Sequence, residues 1–470
     1  MMRSLLAATT LTLVAGTPLV AQVPTTPARP APGSTVTRAF FDSLATPRVA
    51  SSTTALEPDA GVAWLDLLQD SVLVGLVTEG VTANRDVRLA QARLREFRAQ
   101  VGVAKAGYLP ELSANAGFAR QQTVFGTLGT FGFDAWRATA DLAWELDFWG
   151  RIRGNVRGAS LDVAAEREEH RATVLALVSD IATAYLELRE LDAGLAIAER
   201  TLATRRQTLA LAQRRLAEGV ISELDVRQFE AEVASPASRV AEFTRLIAER
   251  EHQLSQLLGR VPGPIARGRP LAEVAKAVTV PEQVSAERVA ARPDVQRAIH
   301  ELNAASARAG VARTARLPRV LLSGQYGTQA LEASEMFKSS TEIYTIQGGI
   351  SIPLFTGGRI RNEIAAADAR VEQAELRYER AALTAMREVS DALVGVRTAR
   401  DQVAAQEMQT RALQRAYALA ERRYEAGVSS YLELLDAQRG LFNAELGLVQ
   451  AERAYLVSAV KLVKAVGGSW

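Results

Sequence analysis

The sequence predicts an α+β fold made of two similar halves, each with one helix, two strands and one long helical hairpin. Three observations predict this fold. Short motifs recur at a fixed distance along the chain, two segments in each half alternate apolar with polar residues, and long proline-free segments carry heptad patterns. These patterns follow in the same order in both halves, so one architecture is expected to occur twice.

The fixed distance between the repeated motifs is 208 residues. The motif GRIR begins at Gly150 and again at Gly358, and the octapeptides VAKAGYLP and VARTARLP end at Pro110 and Pro318. Each octapeptide closes a helical pattern, because proline cannot continue a helix. The helices that open the two halves are predicted from residue 86 to about 107 and from residue 294 to about 316.

The strands are predicted at about 112–124, 134–148, 319–330 and 341–355. The segment DLAWELDFWGRIR, 141–153, shows the pattern best, because bulky apolar side chains alternate with Asp141, Glu145 and Asp147. Such a strand fits a solvated sheet, and it also fits a barrel wall with lipid outside and water inside. In a barrel the three carboxylates would face the lumen or its rim. The side chains expected to face lipid are Trp136, Leu142, Trp144, Leu146, Ile350 and Ile352, with Trp149 on or near the same wall.

Long helical segments follow the strands. In the first of them an apolar residue recurs at every seventh position, which is typical of a coiled-coil seam. A helix over 151–217 would be roughly 100 Å long at about 1.5 Å per residue. Gly219 and Gly427 break the two long helices at equivalent points, and return helices are predicted over about 222–258 and 430–466.

The N-terminus is typical of an exported protein. Arg3 precedes the apolar run LLAATTLTLVAG, and Ala21 is the small residue before a predicted cleavage at Gln22. No later apolar run reaches the 18 or more residues that a transmembrane helix needs, so a membrane crossing would require strands. The predicted parts of the chain are a signal peptide (1–21), a Pro/Thr-rich N-terminal leader (22–60), the first repeat (61–259), a connecting equatorial segment (260–293) and the second repeat (294–467).

Composition excludes several classes of function. The 55 basic and 53 acidic residues leave a net charge of only +2, so no nucleic-acid partner is expected. The absence of cysteine excludes disulfides, thiolate metal sites and thiol nucleophiles, and His170, His252 and His300 show no metal-ligand spacing. Phosphate-binding loops, GxSxG and HExxH are also absent. We therefore expect no enzyme, no cofactor and no metal.

Four strands are too few for a membrane barrel. Lipid-facing barrels need about eight or more strands, because an open edge leaves unpaired amides in hydrocarbon. A homotrimer would supply twelve strands and a matching tube of long helices. The sequence therefore predicts an oligomer that contacts membrane lipid.

The segments WELDFWGRIR and IPLFTGGRIRNEI, the two glycine turns and the twofold repeat resemble the TolC/NodT (OprM-like) outer-membrane efflux channels. The resemblance covers about residues 62–467. It implies a trimer with a 12-stranded barrel in the outer membrane and a long α-helical barrel in the periplasm. Such a channel passively conducts substrates from an inner-membrane pump, expected to be of the RND type, through a periplasmic adaptor protein. Many relatives carry a lipid on an N-terminal cysteine, an anchor that is not expected here.

The resemblance also implies a gate. Glu433, Asp436 and Asp225 match acidic residues of the family, and Tyr424 matches a tyrosine in the network that holds the channel tip shut. Glu433 and Asp436 are three residues apart and share one helix face, so three copies would form two carboxylate rings that repel one another and attract cations. An arginine can occupy the position of Ser429 in the family, so the closing network is expected to be looser here.

The hairpin tips are the expected docking site for the adaptor. They are formed by Gly219 and Val220 in the first repeat and by Gly427 and Val428 in the second. The same glycines also end their helices, which is a purely structural role. The resemblance implies that the same turns also dock the adaptor protein.

Two other functions remain open at this stage. The chain could be the exit duct of a type I protein secretion system, whose channel has the same architecture. It could also be a non-channel periplasmic coiled-coil tether, which would need β domains beyond the two strand pairs found here. The identity of the neighbouring pump gene separates the first alternative from efflux.

Overall fold

The computed structural model describes residues 63–124, 130–280 and 284–468, all within one compact unit, Thr53–Trp470. The predicted signal peptide (1–21) and leader (22–60) lie outside the described residues. After a short 3₁₀ helix, Ala63–Leu68, the helices are α1 (Ser71–Ala83), α2 (Arg85–Ala106), α3 (Arg151–Ala217), α4 (Glu223–Leu257), α5 (Leu271–Ala277), α6 (Ala286–Ala290), α7 (Pro293–Thr314), α8 (Arg359–Glu425) and α9 (Tyr431–Ala465). The strands are β1 (Glu111–Val124), β2 (Thr130–Leu146), β3 (Arg319–Ala330) and β4 (Glu342–Ser351).

Corresponding helices of the two halves have equal lengths. Helices α3 and α8 contain 67 residues each, and α4 and α9 contain 35 each. Helices α2 and α7 contain 22 residues each. In every pair the second helix begins 208 residues after the first. Among the described helices, none has the length and apolar content needed to span a bilayer.

The four strands form one antiparallel sheet in the order β1-β2-β3-β4. Three strand boundaries differ from the prediction by two or more residues. Strand β2 runs from Thr130 to Leu146 rather than from about 134 to 148, and β4 ends at Ser351 rather than near 355. Ile352, predicted as a strand residue, therefore follows the sheet by one position. The cause lies in Pro353, because a proline has no N–H with which to extend the ladder.

The helices form a single-layered wall. Next to the sheet α3 contacts α2 and α7, and α7 also contacts α8. Further from the sheet α3 contacts α4 and α9, and α9 also contacts α8. The order across the wall is therefore α2–α3–α7–α8 in one half of its length and α4–α3–α9–α8 in the other. Helix α3 lies inside the wall, whereas α8 forms one edge and α2 and α4 form the other.

Two side chains join helices end to end. Asn84 caps α2 by accepting hydrogen bonds from the N–H groups of Asp86 and Val87, and its Nδ2 donates to the carbonyl of Leu257 at the end of α4, 2.8 Å away. Arg292 precedes α7, and its Nη1 donates to the carbonyl of Ala465 at the end of α9, 2.6 Å away. Each contact satisfies a carbonyl that a helix terminus leaves free.

The largest core lies where these helix ends meet, around α1, α5 and the middle of α3. Leu73, Ile181 and Leu456 are among its fully buried side chains. A buried polar contact fixes the connecting segment to this core, because the Tyr185 hydroxyl donates to Asp70 at 2.9 Å and accepts from the N–H of Gly268 at 2.7 Å. The buried middle of the molecule thereby holds the long helices in position.

Candidate functional site: sheet faces and hairpin tips

One face of the sheet is apolar across all four strands except near the β1–β2 and β3–β4 connections, where it carries Glu342 and the ion pair of Arg120 with Asp134. Leu112 of β1 lies opposite Leu142 of β2, and another row runs from Leu146 through Val320 to Ile350. The same register places on this face Phe118, Trp136, Trp144, Leu322, Tyr326, Tyr344 and Ile346. All the side chains predicted to face lipid except Ile352 thus share one face of the sheet.

The opposite face carries a hydrogen-bonded polar network. Asp141 of β2 accepts from Asn115 Nδ2 of β1 at 2.7 Å, from Thr139 Oγ1 at 3.1 Å and from Gln325 Nε2 of β3. Arg137 donates to Gln325 Oε1 in turn. The network satisfies its charges and amides across three strands, which lets this face tolerate contact with water.

Two acidic residues organise the turn from β2 into α3. Glu145 accepts from Arg151 with both carboxylate oxygens, each at 2.7 Å. Asp147 accepts from the N–H groups of Ile152 and Arg153 at 3.1 and 2.9 Å, so its charge lies at the helix N-terminus, where it is stabilising. The prediction that both acids face the lumen or rim missed these roles. Their signal in the sequence is an arginine six residues after each acid.

The second repeat makes this turn without the two acids. Gly358 has a φ of 85°, close to the 78° of Gly150, so both helices begin after a left-handed glycine. Pro353 and Phe355 stand 208 residues after Glu145 and Asp147. The contacts of Glu145 and Asp147 in this turn are therefore specific to the first repeat.

Both hairpin tips are glycine turns with exposed apolar residues. Gly219 and Gly427 have φ values of 72° and 71°, and the next residue donates its N–H to a carbonyl in the last turn of the helix, a C-terminal motif that favours glycine. Val220 and Val428 are 67% and 69% exposed. Sequence reasoning missed two further exposed residues, Leu224 and Leu432, which lie four positions beyond the valines.

The predicted gate acids have different local partners. Glu433 and Asp436 are both exposed on α9, and Glu433 forms a 3.0 Å ion pair with Arg423 of α8. Asp225 accepts from the N–H of Ser222 at 2.9 Å and completes a capping box for α4. The fourth predicted residue, Tyr424, is buried rather than lining a surface.

Tyr424 belongs to an apolar cluster in which all four hairpin helices meet. The Arg215 guanidinium of α3 lies 4.9 Å from the centre of its ring, a cation–π distance. Beside it the rings of Phe229 and Tyr431 are 3.8 Å apart, and burial raises the pKa of the Tyr431 phenol to about 12. Tyr424 therefore connects the two hairpins of one chain.

A buried ion cluster lies next to this contact and was not predicted. Glu232 of α4 accepts from Arg205 of α3 at 2.7 Å and from Arg439 Nε of α9 at 2.9 Å. Arg205 and Glu232 are both buried. The three residues come from distant parts of the sequence, so no local spacing could have revealed them.

Nothing in the part of the chain that the structure describes is arranged as a metal centre. Among these residues no three His, Asp or Glu side chains lie close enough together to hold one ion. His170 is buried and His300 is half-buried, and this burial lowers the pKa of both imidazoles.

Known proteins share this sequence pattern. The family model described as outer membrane efflux protein matches residues 78–260 and 285–468. The toluene efflux pump outer membrane protein TtgI of Pseudomonas putida is 33% identical over 409 residues, which cover 86% of this chain and 87% of that protein. The cation efflux system protein CusC of Escherichia coli O157:H7 is 29% identical over 408 residues, which cover 87% of this chain and 88% of that protein.

A solved structure shows the same fold. The outer-membrane channel OprN superposes with a TM-score of 0.81 at 27% identity, covering 91% of this chain and 99% of that chain. These relatives confirm the predicted function in efflux and the predicted location in the outer membrane with an extension into the periplasm. The chain belongs to the outer membrane efflux protein family.

Proposed function

We propose that three copies of this chain form a passive channel, the outer-membrane component of a tripartite efflux pump. The sheet carries this proposal. It has one face for lipid that is apolar apart from its β1–β2 and β3–β4 ends, one hydrogen-bonded polar face for water, and a single neighbour at each of its outer strands, β1 and β4. Joining β4 of one copy to β1 of the next closes a 12-stranded barrel without leaving an edge in lipid.

The helical wall supports the same assembly. Its two edges would close around a lumen when three copies join, and the 67-residue helices would then form a long tunnel into the periplasm. We also propose that the chain is a twofold internal repeat with parts 61–259 and 294–467 linked by 260–293. The equal helix lengths and the two segments matched by the family model favour this division.

The proposed channel catalyses no reaction, and its transport energy comes from an inner-membrane pump, which we propose to be of the RND type. A periplasmic adaptor would join that pump to the channel at the hairpin tips. Relatives of similar identity are named for toluene efflux and for cation efflux. We therefore propose that the pump, and not this channel, selects the substrate.

The assembly is tested by native mass spectrometry of the detergent-purified protein followed by bilayer recording. Three chains per particle and a stable ohmic conductance are the expected results. A monomer with a closed barrel, or trimers that never conduct under any voltage or salt condition, would contradict the proposal.

We further propose that Glu433 and Asp436 line the narrowest part of the tunnel. They are exposed on one side of α9 within its first two turns, and three copies would bring six carboxylates together. Divalent cations should then block the channel, because closely spaced carboxylates attract them. The ion pair of Glu433 with Arg423 lowers the net charge of its ring, so the ring of Asp436 is expected to contribute more.

The gate is tested by single-channel conductance with and without divalent cations. Glu433→Gln combined with Asp436→Asn should abolish the block, whereas Glu287→Gln at an exposed position of α6 should leave it unchanged. Equal block in the parent and in the double variant would place the constriction elsewhere.

A further inference from the structure

We infer that a cleft in the middle of the helical wall binds a small amphiphilic organic anion, with an apolar body and one carboxylate or sulfonate head. The cleft lies between α3 and α8, where the end of α9 meets the start of α7. Its volume of 640 Å³ is within the range of ligand-binding pockets, about 300–1,000 Å³. All of its lining belongs to a single copy of the chain.

The floor of the cleft is apolar and consists mostly of small side chains. Ala172, Leu175 and Ala176 of α3 contribute to it, and Ala392 of α8 contributes from the facing helix. The three alanines are only partly buried, so their methyl groups border the open space. Such a floor favours contact with the apolar body of a ligand over contact with water.

Two lysines of α9 line one side of the cleft. Lys461 and Lys464 are three residues apart, so they share a helix face, and both are exposed. Lys461 forms no ion pair with any residue that the structure describes, and Lys464 has only Asp180, at 4.0 Å. Two ammonium groups beside an apolar floor are suited to an anionic head on an apolar ligand.

The carboxylates that line the cleft already have arginine partners. Arg292 donates to Asp294 at 2.8 Å and to Glu388 at 2.6 Å. Asp391 accepts from Arg387 at 3.1 Å. Because these acids are paired with guanidinium groups, they leave the two lysines without a close counter-charge. The charge that the cleft offers to a ligand is therefore positive.

The first repeat fills the corresponding position with an ion pair. Glu187 of α3 and Arg250 of α4 are 2.7 Å apart and join these two helices. The residues 208 positions later are Gly395 of α8 and Ser458 of α9, and both line the cleft. The second repeat thus has two small residues where the first has two long charged side chains.

The two lysines are also specific to the second repeat. Gln253 and Gln256 occupy the positions 208 residues before Lys461 and Lys464. The second repeat therefore combines added space with added positive charge at one place in the wall. An anion-binding cleft requires both changes.

The cleft opens on the face of the wall that the connecting segment leaves free. The hydroxyls of Tyr185 and Tyr455 bond to backbone groups of that segment at 2.7 and 3.1 Å. Ala176 and Lys464 are each nine residues from these tyrosines, which places them on the opposite sides of α3 and α9 at about 100° per residue. The connecting segment would obstruct a tunnel from inside, so the free face is the lumenal face in the proposed channel. This lumenal location rests on the proposed function, whereas the binding site does not.

Equilibrium binding of naphthalenesulfonate to the protein in phosphatidylcholine nanodiscs tests the site, and one probe per chain is the expected result. Lys461→Gln with Lys464→Gln introduces the residue type of the first repeat. This double variant should weaken binding about tenfold or more, because hydrogen bonds to charged groups are the stronger ones. The matched control, Lys105→Gln with Lys338→Gln, removes two exposed lysines elsewhere and should leave binding unchanged.

A second variant tests the space of the cleft. Gly395→Glu with Ser458→Arg introduces the ion pair of the first repeat and should abolish binding. A Cβ on Gly395 would meet only the Ser458 hydroxyl, at 3.9 Å, so the substitution has room. Native mass spectrometry confirms beforehand that each variant keeps the assembly of the parent. Naphthylmethylammonium, which has the same apolar body and the opposite charge, should bind the parent much more weakly.

The outcomes separate the site from the channel. Loss of binding in both double variants, with the control unchanged, supports the site. The site is overturned if the parent does not bind the anion, if it binds anion and cation equally, or if binding survives either pair of substitutions in the cleft. Those results leave the trimer and its conductance standing, because both are measured without the probe. Particles with one chain that still bind the anion would overturn the proposed function and keep the site.

Discussion

Glu452 of α9 is a buried carboxyl that contributes to the pH response of the protein. It is 6% exposed, and burial is the main cause that raises the pKa of its carboxyl. Nearby Glu407 adds to the increase, while Lys276 opposes it. Because the folded-state pKa lies above the unfolded value, this residue favours folding most at acidic pH, and its contribution is lost as pH rises through the folded pKa.

We therefore expect Glu452→Gln to raise the melting temperature at pH 8 and to change it little near pH 4. The amide removes the cost of burying a charge, and that cost is absent when the carboxyl is protonated. Circular dichroism melts of the detergent-purified protein between these pH values measure the effect. The exposed Glu287→Gln serves as control, and a gain that is independent of pH would refute the explanation.

At the scale of single residues, the helix face on which a side chain lies could be predicted from the sequence better than its contacts. It placed Glu433 and Asp436 on one helix face correctly, because spacing alone determines that. It did not foresee that Asp225 caps its own helix or that Glu232 is buried between two arginines. The capping role of Asp225 could have been predicted from Ser222, three residues earlier, because the two residues form a capping box. The burial of Glu232 depends on contacts among three helices and leaves no signal in the local sequence.

Among the elements, the long helices were the most predictable. The predicted span 151–217 coincides with α3, because a proline-free heptad pattern of this length has no alternative in strand or turn. Strand ends were less predictable. The end of β2 depends on Asp147 turning to cap α3, and the end of β4 depends on Pro353, so both follow from the next element rather than from the strand pattern.

The hairpin turns are the elements whose surface can be tested by substitution. Val220→Asp combined with Val428→Asp should abolish cross-linking to the adaptor, because it places charges on both exposed apolar tips. The helix ends should persist, since Gly219 and Gly427 are unchanged. Adaptor cross-linking in cells and trimer content of the membrane are the two measurements.

The matched control for the tip substitution is Val261→Asp. Val261 is an even more exposed valine that follows α4, at the end of that helix opposite the tip. It should leave both cross-linking and trimers unaffected. Normal cross-linking and transport by the tip variant would show that the tips are not part of the docking site.

The whole molecule depends on the difference between the two faces of the sheet. Ile346 and Gln347 are adjacent in β4 and point to opposite faces. Ile346→Lys should reduce the amount of trimer in the outer membrane, because a lysine facing lipid near the bilayer midplane costs about 2–4 kcal/mol. Gln347→Lys should assemble normally, since its face is proposed to contact water.

Heat-resistant trimers in outer-membrane fractions measure both lysine variants. Equal assembly of the two would contradict the proposed orientation of the sheet.

The assignment of faces was predictable from the sequence, because an alternation of period two divides a strand into two sides. The order of the helices across the wall was not, because it depends on contacts between segments far apart in the chain.

The pairing of β2 with β3 has a consequence for biogenesis. Trp136 lies opposite Ala330 and Leu146 opposite Val320, so the centre of the sheet joins segments separated by two long helices. Loop closure over such distances is slow, and transiently exposed apolar strands are prone to aggregate. A newly exported chain therefore carries β1 and β2 uncovered until the second half has been translocated. We expect its yield to depend on periplasmic holding chaperones, whose loss should deplete this protein before it affects proteins with local strand pairing.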